Sequence, residues 1–248
     1  MENSDFLKRA EDLRNRCEKR GIVTHTGFLT PAESYEISNW AKNRPDCRLL
    51  LHGGHESCER VVAFFLPEYI EAEYFDTGEY ICTIELTAHF GAPGHRDYMG
   101  ALLGMGIGRE WLGDIWVREN EAVVFCLESV CRHLLSIEKV GRYAVKTKAL
   151  SLEDVSEPER KVKAISFSVM SMRLDAVAAG MFSLSRSECA RHIAAGDVCL
   201  NYAQCFKPDA AVKAGDIISI KGEGKGNVGG TGGISRKGRL FVNAEIYK

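Results

Sequence analysis

The chain has 248 residues, of which 45% are hydrophobic and 27% charged, with a formal net charge of −2. That is ordinary globular composition, with chain enough for one large domain or two to three small ones and for a core that needs no metal or disulfide to hold it. No apolar run approaches the ~20 residues of a membrane span, and the charged N-terminus MENSDFLKRAEDLRNRCEKR has no apolar signal core, so a cytoplasmic protein is expected.

In chain order, Phe6, Ala10, Leu13 and Cys17 fall on one face of a helix over 5–19. A second helix starts at TPAESYEISNW: Thr30 is the expected N-cap, Pro31 opens the first turn and Glu33 completes a capping box. RLLLHGG and RVVAFFLP read as strands joined across GGHESCE. The middle of the chain then reads strand, helix, strand, strand, helix, strand, through YICTIELTAHF, HRDYMGALLGMGI, WLGDIWVREN, AVVFCLES, VCRHLLSIEKVG and YAVKTKAL. That is the order of a split βαβ unit and of an RRM. AVVFCLES offers only Phe125 as an aromatic, however, so the stacking pattern of RRM sheets is missing and Phe125 is expected in the core. SLEDVSEPERKVKA reads as a linker or edge segment.

From residue 173 to the end there are 11 Lys and Arg against 7 Asp and Glu, while the rest of the chain has 21 against 27. A basic C-terminal third on an acidic body fits a polyanion-binding module. Leu174, Val177, Ala178 and Met181 share a helical face; Ser185 and Glu188 form another S-x-x-E box, Leu184 can staple against Cys189, and Gly196 is the expected C-cap. Cys189, Ala190 and Ile193 then point inward and Ser187 and Arg191 outward. Arg186 stands at the first helical position, where backbone N–H groups favour a phosphate. DVCLN and QCFKP read as a hairpin and KAGDIISIKG as a further strand. The seven glycines between 222 and 233 read as a mobile loop, followed by the basic SRKGR and a strand LFVNAEIY.

Four other patterns stand out. The nine cysteines form no CxxC pair and read as small buried hydrophobes. Cys47, His52, His55 and Cys58 have zinc-ligand chemistry at a spacing that matches known sites only loosely. GMGIGR at 104–109 imitates a dinucleotide loop but closes a helix where such a loop opens one, and His95-Arg96-Asp97 imitates a kinase loop without its companion elements.

Across residues 173–221, RLDAVAAGMFSLSRSECARHIAAGDVCLN, the KP pair and VKAGDIISI resemble the S-four RNA-binding domain, named for the fourth small-subunit ribosomal protein. Tyr202 departs from that pattern, standing where the turn glycine is usual, beside an Asn201 able to adopt the left-handed conformation. GGHESCER, GHRDYMGALLGMGIGREWLGDI, VMSMRLDAV and SRKGR extend the resemblance to the YlmH family of bacterial proteins, over nearly the whole chain. The resemblance implies an α+β fold: an N-terminal helical and strand region over 1–74, a ferredoxin-like (RRM-like) domain over 75–165, and a small S-four-type α+β domain over 166–248 with a basic glycine-rich tail.

It also implies a non-enzymatic protein without cofactor or metal. The expected partner is structured rRNA or tRNA, on large ribosomal subunits blocked by peptidyl-tRNA in quality control; no membrane, no DNA and a monomer are expected. The RNA-binding residues expected are Arg173, Ser185, Arg186, Ser187, Arg191, Asn201, Tyr202 and Lys207, with Arg236, Lys237 and Arg239 in the tail. Arg173-Leu174-Asp175 is also the letter pattern of a pseudouridine-synthase catalytic motif, which keeps an RNA-modifying enzyme as the alternative; only 73 residues follow Asp175, where such enzymes need a large catalytic domain.

Overall fold

The computed structural model describes residues 2–157, 162–234 and 238–247. Among them are six α-helices and three antiparallel sheets, and the chain divides into two compact units, Met1–Pro158 and Glu159–Lys248. No helix of the described residues is long and apolar enough to cross a membrane.

The first unit begins with α1 (Glu2–Arg20), β1 (Thr24–Leu29) and α2 (Pro31–Lys42). The Thr30 side chain accepts from the Glu33 N–H and the Glu33 carboxylate accepts from the Thr30 N–H, so the expected capping box is present. β2 (Leu49–His52) and β3 (Val61–Phe65) follow, and the strands pair in the order β1-β3-β2. Strand period two splits β3 between two cores. Ala63 and Phe65 join Ala10, Cys17, Leu29, Ile37 and Trp40 beneath α1 and α2. Val62 and Phe64 face the other way.

What Val62 and Phe64 meet is the second sheet. β4 (Ile81–Ala88), α3 (His95–Gly104), β5 (Leu112–Arg118), β6 (Glu121–Leu127), α4 (Glu128–Leu134), β7 (Lys139–Val140) and β8 (Tyr143–Leu150) build a sheet of order β5-β6-β4-β8-β7. One face carries α3 and α4 over Ile84, Leu86, Tyr98, Leu102 and Leu134. The opposite face lays Ile81, Trp116, Val123, Phe125 and Leu127 against Phe28, Val62, Phe64 and Leu66 of the N-terminal region. Phe125 is fully buried, as expected. Gly113 makes this contact possible, because a Cβ there would lie 2.6 Å from the Phe28 ring and 2.9 Å from Phe125 Cβ.

Two arginines of the motifs that carry the resemblance tie these layers together. Arg60 Nη2 donates to the Phe28 carbonyl at 2.7 Å and its Nε to that of Leu112 at 3.1 Å. Asp114 accepts the backbone N–H groups of Glu59 and Arg60 at 2.8 and 3.0 Å. Arg109 Nη1 donates to Leu112 and Gly113 carbonyls at 2.7 and 3.0 Å, and burial, with Arg60 nearby, draws its pKa down to about 10. GGHESCER and GREWLGD thus serve the packing of this unit.

In the second unit, β9 (Val162–Val169), α5 (Leu174–Phe182), α6 (Arg186–Ala195), β10 (Val198–Leu200), β11 (Ala203–Gln204), β12 (Ile217–Ile220), β13 (Gly224–Ile234) and β14 (Leu240–Tyr247) form a sheet of order β11-β10-β12-β13-β14-β9 under the two helices. Leu174, Val177, Ala178 and Met181 of α5 and Cys189 and Ile193 of α6 are buried against Val198, Ile218, Val228 and Val242. β9 pairs with β14 along its whole length, from Val162 opposite Tyr247 to Val169 opposite Leu240.

The glycine stretch corrects the sequence reading. It is the strand β13, paired with β12 and β14, and not a loop. Two of its glycines are required by close approach: a Cβ on Gly226 would meet the Glu245 carbonyl at 2.5 Å and Met181 Cε at 2.8 Å, and one on Gly229 the Asn243 carbonyl at 2.7 Å. Of the basic tail, Ser235, Arg236 and Lys237 lie outside the described residues.

Candidate nucleic-acid interface

Arg173 is the N-cap residue of α5, in extended conformation. The loop after β11 folds over this helix start, where Pro208 and Ala210 carbonyls accept the N–H groups of Asp175 (2.9 Å) and Leu174 (2.9 Å). Two helix donors that would otherwise be orphaned are satisfied in this way. The same contact brings the exposed Lys207 beside the start of α5.

Asp175 organises the basic groups. Its carboxylate takes Arg173 Nε at 3.1 Å and Nη2 at 3.3 Å, a fork-on-fork pair. Arg186, at the first position of α6, places Nη2 3.8 Å from Asp175 Oδ1. Asp175 is only 14% exposed, whereas the side chains of Arg173 and Arg186 are 44% and 59% exposed, so the acid is covered and the cations face solvent. The hydrogen bond to Asp175 holds the Arg173 pKa above its usual value.

The start of α6 is closed by its own residues. Ser185 Oγ accepts from the Glu188 N–H at 3.2 Å and donates to Glu188 Oε2 at 2.7 Å, with Ser187 Oγ at 3.0 Å. Those bonds, with the one from the Ser185 N–H, depress the Glu188 pKa. The Ser185 hydroxyl is therefore committed to the cap. Ser187 and Arg191, four residues apart, share the outer stripe of α6; Arg191 is 78% exposed, with Glu188 at 4.0 Å. Gly196 ends α6 in the left-handed conformation, as expected.

The hairpin residues separate into two roles. Asn201 and Tyr202 both have positive φ, +50° and +65°, the pattern of a tight two-residue hairpin turn. Asn201 is turned inward: its Nδ2 donates to Asp216 at 2.9 Å and its Oδ1 accepts from the Ile217 N–H at 2.9 Å, which ties the turn to β12. Tyr202 lies by the sheet, with Lys225 Nζ 5.5 Å from its ring centre and 5.3 Å from that of Tyr247. Arg239 is exposed and donates to the Ser168 carbonyl at 2.7 Å.

The structure thus gathers Arg173, Arg186 and the Lys207 loop around Asp175, puts Ser187 and Arg191 on the adjoining stripe, and sets Tyr202 apart with Lys225 and Tyr247. Asp175 as organiser was not expected, although its spacing of two from Arg173 at a helix start was visible in the sequence. Lys225 was hidden inside the stretch read as a loop. Elsewhere, His52 Nδ1 lies against the Gly54 N–H and the Thr77 hydroxyl, each at 3.1 Å, and Cys47 closes a turn on Arg44. Among the described residues no three His, Cys, Asp or Glu side chains are grouped to hold a metal.

Parts of this chain are similar to known proteins. Residues 72–154 match the family model described as "Putative RNA-binding domain in YlmH". The chain is 28% identical to the ribosome-associated protein quality control protein P2 of Bacillus subtilis (strain 168) over 244 residues, 98% of this chain and 95% of that one. The solved structure of cell division protein YlmH from Streptococcus pneumoniae is similar in fold, with a TM-score of 0.52 and 22% identity over 63% of this chain and 96% of that one. The chain is similar to YlmH proteins in its 72–154 region, in sequence over nearly its whole length, and in fold.

Proposed function

We propose that the chain is a non-catalytic RNA-binding protein that acts on ribosomal particles in the cytoplasm, as a monomer. Its target is structured rRNA or tRNA on large subunits that carry peptidyl-tRNA. The order β5-β6-β4-β8 with two crossing helices supports reading 75–165 as a ferredoxin-like, RRM-like domain behind an N-terminal region over 1–74. The helix pair, the Asn201–Tyr202 hairpin and β12 support an S-four-type domain within 166–248, with β9 and β14 as added strands. The name of the Bacillus subtilis relative supports the ribosomal setting.

The observation that carries this reading is the Asp175-centred array: two arginines, held apart from each other by one covered carboxylate, project from adjoining helix starts. Fixed guanidinium groups suit phosphate oxygens. Arg173, Arg186, Ser187, Arg191 and Lys207 contact phosphates and sugars; Ser185 and Asn201 position them; Tyr202 flanks them. Arg236, Lys237 and Arg239 add a second basic contact. Such contacts give position and affinity while RNA shape gives selectivity. The commitment of Asp175 to Arg173 and Arg186 supports a non-catalytic role over an RNA-modifying one.

The test is co-sedimentation of the Arg186→Ala/Arg191→Ala chain with purified large ribosomal subunits across a salt series. Most binding should be lost while unfolding changes by only ~0.5 kcal/mol, as for exposed positions. The wild-type slope of log affinity on log salt should be roughly −3, for about four phosphates. Binding equal to wild type would overturn the assigned face.

A further inference from the structure

The face of the five-stranded sheet that an RRM-like domain would offer to bases is occupied. Trp116 and Phe125, its two aromatic rings, are 9% and 0% exposed beneath Phe28, Val62 and Phe64. On the part of that face left open, Lys148 Nζ bonds Glu85 at 2.9 Å, Arg118 bonds Ser156, and Lys146 is exposed, but no aromatic ring is offered there. An aromatic platform for RNA bases in the 72–154 region therefore has to lie elsewhere on its surface.

The loop between β4 and α3 has the required chemistry. Phe90 is 87% exposed, the largest exposure of any large hydrophobic residue described in the chain. The loop that carries it is fixed. The His89 N–H donates to the Ala144 carbonyl at 3.1 Å, Pro93 is buried, and Asp97 caps the Gly94 N–H at 2.8 Å. Gly91, at φ +79°, lies on the Tyr143 ring so closely that a Cβ would come within 2.4 Å of Cε1. Arg142 also meets the Tyr143 ring, its guanidinium 5.2 Å from the ring centre and Nη2 donating to the Tyr143 hydroxyl at 3.1 Å. Arg96 on the first turn of α3, Lys139 opposite Ala144 and Arg142 next to Tyr143 are all exposed; of the nearby carboxylates Asp97 is engaged in the cap, and Glu138 is exposed beside Lys139.

A hydrogen-bonded loop that holds a phenyl ring in water, with exposed arginines on the elements that flank it, fits a nucleic-acid strand: bases stack on aromatic rings irrespective of sequence, and arginines take the backbone. We propose that Phe90, Arg96, Arg142 and Tyr143 form a second RNA contact, which stacks an unpaired base of a loop or bulge on Phe90 and holds the flanking phosphates with the two arginines. This deepens the RNA-binding reading above and rests on it, but at a different site.

The test uses the full chain with two fluorescein-labelled probes, a single-stranded 12-nucleotide oligo(A) RNA and a duplex RNA of equal length. Phe90→Ala should weaken single-strand binding about tenfold, the effect of losing one stacked base, and change duplex binding by less than about twofold. Phe90→Trp should retain single-strand binding, and Arg142→Ala should weaken both probes. The melting temperature of Phe90→Ala should match wild type, because the ring is exposed. Unchanged single-strand binding in Phe90→Ala overturns the proposal, as does an equal loss on both probes. Intact oligonucleotide binding with impaired binding to large subunits also overturns it, since the partner of Phe90 would then be a protein. The same measurements on Arg186→Ala/Arg191→Ala separate the two sites. If that variant binds RNA normally while Phe90→Ala does not, the helix-pair site fails and this one stands; the reverse result has the reverse meaning.

Discussion

Arg173 lays its guanidinium across the Asp175 carboxylate, with Nε–Oδ1 at 3.1 Å and Nη2–Oδ2 at 3.3 Å, at the first turn of α5. The pair is short in sequence, and its second partner, Arg186, arrives from the next helix. The carboxylate therefore fixes the spacing of two cations. Removing it raises the net positive charge of the face and also frees both side chains.

Asp175→Ala separates these effects by sign. If pre-organisation matters, the variant binds large ribosomal subunits more weakly despite its extra positive charge, because two arginines must be ordered at the moment of binding. Stability should fall by about 1 kcal/mol, from a partly exposed charge-assisted pair lost at a helix N-terminus. Tighter binding in the same salt would show that Asp175 only screens the face.

Ser185→Ala removes the cap of α6 and should cost ~1 kcal/mol near neutral pH. The pH dependence follows from Glu188, whose pKa is lowered from 4.5 by its bonds to Ser185. A carboxylate with a depressed folded pKa contributes stability above its unfolded pKa and loses it as pH falls through the folded value. The gap between wild type and Ser185→Ala should therefore narrow as pH drops below about 4. Thermal unfolding of both proteins between pH 7 and pH 3 checks this, and a gap of constant size would remove Glu188 from the cap.

Both capping boxes were legible in the sequence because each needs only residues three apart, and the Ser185–Glu188 and Thr30–Glu33 bonds are where the spacing put them. The buried stripe of α5 was legible for the same reason. β13 was not, because glycine gives a strand no local preference and only its two neighbours decide it. β1, with Gly27 inside THTGFL, escaped likewise. At the site, the outward arginines of α6 followed from helical period, but the Asp175–Arg186 approach and the burial of Trp116 beneath the N-terminal sheet are tertiary facts with no local signature.

Gly180 is helical, so replacing it with alanine should favour α5 by about 1 kcal/mol on propensity alone. The structure predicts the opposite result. A Cβ there would lie 2.2 Å from Phe167 Cδ2, the ring by which α5 packs on β9. Overpacking of this kind costs about 1–3 kcal/mol, so Gly180→Ala should be net destabilising. Gly180→Ala combined with Phe167→Leu should be less unstable than the sum of the two single changes. Additive losses in denaturant unfolding would mean that the two residues do not meet.

Three thiols cluster at α4. Cys82 and Cys126 stand directly opposite each other on β4 and β6, and Cys131 on α4 packs over them in the same core. Hydrogen bonds from Cys126 and Cys82 draw the Cys131 pKa down to about 6, while burial foremost pushes Cys82 up to about 12 and the bond to Cys131 raises Cys126. The three thiols are coupled, and the two S–H donors favour the thiolate at Cys131. The thiolate is the nucleophile, so the alkylation rate climbs with pH through the pKa and then levels off. For Cys131 that plateau should be reached by about pH 7, against about 9.5 for an ordinary thiol. Cys126→Ala deletes the main donor to Cys131 and should move the midpoint upward, with the rate still climbing at pH 8. Cys131 is 8% exposed, which slows every rate by a common factor and leaves the midpoint readable. Peptide-resolved mass spectrometry of iodoacetamide labelling from pH 5.5 to 9.5 gives both curves. A wild-type rate that rises through pH 8.5 without levelling would show that the three thiols ionise independently.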